Sequence, residues 1–286
     1  MFFGMRGLGS LLVAFSLSAS PEVVRRADAL YNRTQYESSL KLLAGDPTPD
    51  AATYALTGKN YFMLGDYKKA IEIFERAVAL APSSSDYQLW LGRAYGKRAE
   101  TGGWLTAGFH ASKARQCFEA AIALDPRNRE AMNDLFDYYL NAPGFLGGGS
   151  DKAESLARRI EHERPAEYHY EMAQLAERNK QYAAAEQHLR SAMSLAPGDV
   201  GRLLDLARYL SRHGRIEESD ALFLEAGKLR PNEPRVVFAR AENYVETRRH
   251  SDEARKLLRQ YIASDRTPDD PSQQAAEKLM HEIAGK

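Results

Sequence analysis

Cys117 is the only cysteine in the 286 residues. A lone thiol forms no intramolecular disulfide and cannot by itself anchor a cysteine-based metal site. An excess of one charge is also missing, because 39 Lys and Arg balance 39 Asp and Glu. A role on a nucleic-acid backbone or an acidic membrane surface thereby loses most of its electrostatic basis. Catalytic signatures are absent too. The seven histidines form no HExxH pair, and there is no Gly-x-Ser-x-Gly elbow or nucleotide fingerprint. What remains is an ordinary soluble balance, 44% hydrophobic and 27% charged, which excludes collagen and wholesale disorder.

Residues 1–20 read MFFGMRGLGSLLVAFSLSAS, with Arg6 as the sole charge. The apolar stretch from Leu8 to Ala19 has the length of a signal-peptide core and falls short of the ~20 residues of a bilayer span. Small residues follow, and cleavage after Ser18 or Ser20 is the expectation. That places the chain in the periplasm or otherwise outside the cytoplasm. An uncleaved anchor is a second reading. A third is a cytoplasmic protein whose first helix starts here, since Ser20 followed by Pro21 is also an N-cap with proline at the first helical position.

The prolines set a period. Pro47, Pro82, Pro126, Pro165, Pro197, Pro231 and Pro268 are separated by 32 to 44 residues, and several close strings such as ALAP (79–82) and SLAP (194–197). Within 51–84, Tyr54, Gly58 and Tyr61 share one face of a first helix. Leu64-Gly65-Asp66-Tyr67 makes a turn. Ala70, Phe74 and Ala77 share a face of a second helix, and Pro82 stops it. Small Gly58 and Ala70 are expected to let the two helices cross closely.

This pattern resembles the tetratricopeptide repeat (TPR) family, with a bacterial exported type as the best match. Leu91, Gly92 and Tyr95 with Phe118 repeat the signature, as do Leu206, Ala207 and Leu210 with Phe223, and Tyr244 with Tyr261. The resemblance implies an all-α, right-handed superhelical solenoid of antiparallel helix pairs, about six to seven repeats over 21–270. A capping helix and tail follow over 271–286. One pair cannot bury its apolar face alone, whereas stacked pairs share a continuous core.

Two insertions break the period, at 96–113 and 141–152, in adjacent repeats. Both are expected at the turn inside a helix pair, projecting from one edge of the solenoid. Trp104, Phe109 and Phe145 lie in them. Either they form a loop site, or, as the favoured reading, they pack together and stiffen two long turns. Gly144 and Gly149 have phosphate-loop separation, but Ser150 stands where lysine is required. Asp151 with Glu154 suggests a helix cap with its capping-box partner instead.

Catalytic, cofactor and metal residues are therefore expected to be none. His162, Glu163 and His169 straddle Pro165 and share no face, the histidines are expected at the surface, and Cys117 reads as a buried, inert thiol. The family's inner surface comes from the first helix of each repeat. Mapped onto this sequence, the groove is Lys59, Phe62, Arg93, Lys97, Asn133, Asp137, Asn141, Tyr170, Gln174, Arg178, Arg208 and Arg212, with Met63, Leu89, Leu140, Glu177, Leu204, Phe238, Glu242 and Val245 beside them. Some members grip a peptide's terminal carboxylate there. Lys59 and Arg93 fit such a clamp, and Asp137 speaks against it. The expected function is a non-catalytic scaffold or adaptor that binds a peptide or partner helix. Nucleic acid is not expected, and a membrane only if the N-terminal segment is retained. The alternative is a solute- or lipid-handling accessory protein with a pocket between the two insertions.

Overall fold

The computed structural model describes residues 21–284; the segment read as a signal lies outside them. The described residues hold fifteen α-helices, one 3-10 turn and no strand. The helices are α1 (Pro21–Tyr31), α2 (Tyr36–Leu43), α3 (Ala51–Met63), α4 (Tyr67–Leu80), α5 (Ser85–Thr101), α6 (Trp104–Leu124), α7 (Arg129–Asn141) and α8 (Ser150–Arg158). Then come α9 (Pro165–Arg178), α10 (Tyr182–Leu195), α11 (Val200–Arg212), α12 (Ile216–Leu229), α13 (Pro234–Glu246), α14 (Ser251–Ile262) and α15 (Gln273–Ala284). Consecutive helices pair and each pair packs on the next, so the fold is a solenoid of seven pairs and a final helix.

Local chemistry sets the helix ends. Asp50, Asp66, Ser84, Asn128 and Asp199 each accept a backbone N–H in the first turn of the following helix. Pro82, Pro126, Pro197 and Pro231 fall just beyond helix ends, where the ring cannot continue the ladder. Pro165 behaves differently from expectation. It is the first residue of α9 rather than the stop of a helix, and α8 ends at Arg158. A proline lacks an N–H that a first-turn residue does not need.

The turn inside several pairs follows one recipe. Gly65, Lys180 and Gly214 all have positive φ, at 77°, 61° and 77°. Each N–H, with that of the next residue, closes back onto the last turn of the preceding helix, as in a Schellman cap.

The first insertion departs from the expected loop. Residues 96–113 extend two helices, so α5 and α6 reach 17 and 21 residues against 13 and 14 in α3 and α4. Only Gly102-Gly103 breaks them. Once both helices are longer their facing turns pair, and no loop is left to solvate. The second insertion does remain irregular, with a turn at Gly144–Leu146 and positive φ at Gly147 and Gly149. Gly149, not Asp151, caps α8, and Glu154 pairs with Arg158 on the same helix at 2.6 Å.

Candidate functional site

Two cavities are lined mainly by first helices of the pairs, one chiefly by α3, α5 and α7 and the other by α7, α9 and α11. The larger, of about 750 Å³, has an apolar floor of Phe62, Trp90, Phe118 and Leu146 and a polar rim that includes Arg93, Lys97, Asp137 and Asn141. Phe62 and Trp90 meet edge to face at 5.4 Å. Both insertions contribute: Gly96, Lys97 and Ala111 from one, Ala142, Pro143 and Leu146 from the other. Pro268 and Asp269, from the link between α14 and α15, close the far side. Five residues of the groove expected from the sequence, Phe62, Arg93, Lys97, Asp137 and Asn141, thus share one cavity with both insertions.

The smaller cavity, of about 350 Å³, is lined by Asn133, Asp137, Tyr170, Gln174 and Arg208, joined by Glu167, Glu171, Arg202 and Asp205. Of the twelve sequence-named groove residues, nine line one cavity or the other. Lys59, Arg178 and Arg212 line neither. Lys59 reaches Asp86 at 3.3 Å and sits over the Trp90 ring. Arg212 holds Glu177 at 3.0 Å, and Arg178 is exposed at the end of α9. Leu89, Leu140, Phe238 and Val245 are buried in the core rather than offered to a ligand. A one-residue rotation on a helix moves a side chain by ~100°, enough to turn it from groove to core.

The wall's charges are mostly matched inside the chain. Arg93 binds Asp134 at 2.6 Å and Glu130 at 2.8 Å, so neither it nor Lys59 is free to clamp a carboxylate. Arg202 binds Glu167 at 2.9 Å and Asp205 at 3.1 Å, and lies over the Tyr170 ring. Asp137 touches solvent, yet the concavity around it and the charges of Asp134 and Glu167 push its carboxyl up to about 6. Burial likewise lifts Asp205 to about 6, against the pull of Arg202 and Arg208.

The three insertion aromatics do not pack together. Trp104, Phe109 and Phe145 are 84%, 58% and 87% exposed. Leu146 makes the contact between the insertions: a β-carbon on Gly108 would lie 3.6 Å from it, and Tyr138 donates to the Leu146 carbonyl at 2.8 Å. Cys117 is buried, and burial pushes its thiol up to about 11. His169 and His188 stand apart from the surface expectation, with facing Nδ1 atoms at 2.8 Å. Nothing in a sequence that sets them nineteen positions apart signals that pair. Among the described residues no cluster of three or more His, Cys, Asp or Glu could hold a metal ion, and no helix is long and apolar enough to cross a membrane.

Residues 51–84 and 176–242 match family models of the tetratricopeptide repeat. The fold is a tetratricopeptide-repeat solenoid. No curated protein sequence matches the chain. Among solved structures, a TPR protein of Parabacteroides merdae is similar at 12% identity, with TM-score 0.59 over 92% of this chain and 98% of its own. A thermophilic TPR protein of Thermus thermophilus is similar at 20% identity, with TM-score 0.53 over 66% of this chain and 97% of its own. These likenesses concern the TPR fold alone.

Proposed function

We propose that this TPR chain is a non-catalytic scaffold that binds a peptide or partner helix along its concave groove. TPR repeats generally mediate protein–protein interaction. The observation that carries the reading here is the larger cavity, in which an apolar floor lies beneath a rim of both charge signs. Such a trough supplies burial for an anchor side chain and polar groups to orient its backbone. A wall of packed helices is already formed before binding, which lowers the ordering cost.

The test is selection of random short peptides on the full chain. Phe62→Ala combined with Lys97→Glu should weaken the selected binders at least tenfold. Unchanged binding would remove this groove as the working surface.

The export reading belongs to the same proposal and is supported by residues 1–20 of the sequence. Mass spectrometry of the chain from its native cells should find a mature N-terminus at residue 19 or 21. An intact Met1 or Phe2 would overturn it.

The solute- or lipid-handling alternative draws on the same cavity, since both insertions line it. Extraction of the purified chain with organic solvent separates the two. A stoichiometric lipid would favour the alternative.

A further inference from the structure

Glu171 lies on the inward side of α9 and is 2% exposed. Neither of its carboxylate oxygens has a hydrogen-bond partner among the described residues. Buried carboxylates are ordinarily paired, because an isolated one forfeits hydration with nothing in exchange. Glu171 lines the smaller cavity together with Asp137 of α7 and Asp205 of α11.

None of the arginines around the recess is paired with Glu171. On α11, Arg202 is held by Glu167 and Asp205, and Arg208 reaches Glu242 of α13 at 3.3 Å. Arg164, just before α9, contacts the Met132 sulfur at 3.5 Å. Arg235 of α13 stands exposed at the mouth of the cavity. Four carboxylates and three guanidiniums line the recess, and none of its arginines hydrogen-bonds the deepest carboxylate, Glu171.

We propose that this recess receives one basic side chain, a guanidinium or an ammonium, of a peptide lying in the groove. The inference rests on the groove reading above and names the chemistry of its partner. A cavity of about 350 Å³ admits the end of a side chain and not a helix. Carboxylates on adjacent helices suit the several N–H donors of such a group.

Proton balance gives the recess a signature. Burial, then the charges of Glu167 and Asp137, push the Glu171 carboxyl up to about 8, against the pull of Arg164 and Arg202. At neutral pH the empty recess holds this proton. An entering cation forms an ion pair with the carboxylate, and the proton leaves to solvent. Affinity should then rise by up to about tenfold per pH unit between 6 and 8 and level off above.

The experiment uses the full chain and peptides selected from a random library at pH 8. Binders should carry Arg or Lys at one fixed position, and replacing it by citrulline or norleucine should cost at least tenfold. Glu171→Gln should cost as much and flatten the pH profile. Asp137→Asn, at a solvent-touched position, should weaken binding severalfold and serves as the comparison if the Gln variant does not fold. Competition by n-butylguanidinium or n-butylammonium, against n-butylurea, tells the two cations apart. Binders that lack a basic position, or bind both variants as they bind the parent, overturn the recess. If Phe62→Ala with Lys97→Glu still abolishes them, the groove reading survives that failure. A library that yields no binder overturns both.

Discussion

The ring of Phe118 on α6 occupies the space where a side chain on Gly92 of α5 would begin. A β-carbon at Gly92 would lie 2.6 Å from the ring. One repeat earlier, Gly58 stands in the same relation to Phe74, at 2.8 Å. The close crossing of these two pairs, α3 with α4 and α5 with α6, is therefore set by a glycine opposite a phenylalanine. Ala70, expected to share that role with Gly58, is fully buried.

Gly92→Ala should destabilise the chain by about 1–3 kcal/mol, the usual cost of overpacking. Gly103→Ala, which meets open space, is the control. Urea unfolding of both variants checks the difference.

Lys180 occupies a left-handed turn position that Gly65 and Gly214 fill elsewhere. A side chain there costs about 1–2 kcal/mol. Lys180→Gly should recover part of this, raising the urea midpoint. A lowered midpoint would show that Lys180 makes a compensating contact.

Trp104 is mostly exposed, so Trp104→Ser should change stability by less than about 0.5 kcal/mol. Leu146→Ala should cost more, because it withdraws the contact between the two insertions. A calorimetric comparison ranks them. A larger loss at Trp104 would restore the reading in which the aromatics stiffen the turns.

Glu171 makes stability depend on pH. Its folded carboxyl titrates near 8, above the ordinary value of 4.5, so the unfolded chain releases this proton first. The charge therefore costs nothing below about 4, and its penalty grows as pH rises through the window up to about 8. Glu171→Gln should raise the melting temperature at pH 8, through a gain on the order of a few kcal/mol, and leave it nearly unchanged at pH 4. An equal shift at both pH values would show that the charge is not the cause.

The buried Cys117 thiol, pushed up to about 11, should react slowly with an aromatic disulfide reagent at pH 8 and promptly in denaturant. Fast labelling of the native chain would show that the α5–α6 pair opens.

Much of this was legible in the sequence because the repeat is a local device. The spacing of Tyr54, Gly58 and Phe74, and the prolines that follow α4, α6, α10 and α12, report which faces meet and where helices stop. Gly102-Gly103 could have signalled that the first insertion is two longer helices with a tight turn. The aromatic content of 96–113 drew attention to loops instead. Nine of the twelve expected groove positions line a cavity, while Leu89, Leu140, Phe238 and Val245 fall on the core side of their helices.

The sequence by itself determined the fold class, the helix pairs and the solenoid, since each depends on contacts within about one repeat. Tertiary structure alone decided which charges are left over. Arg202 reaches Glu167 of the repeat before it, Arg93 reaches Asp134 of the next, and Glu171 is left buried without a hydrogen-bond partner. Those pairings join residues up to 41 positions apart. They depend on the rotation and stagger of neighbouring repeats, which no periodicity within a single repeat encodes.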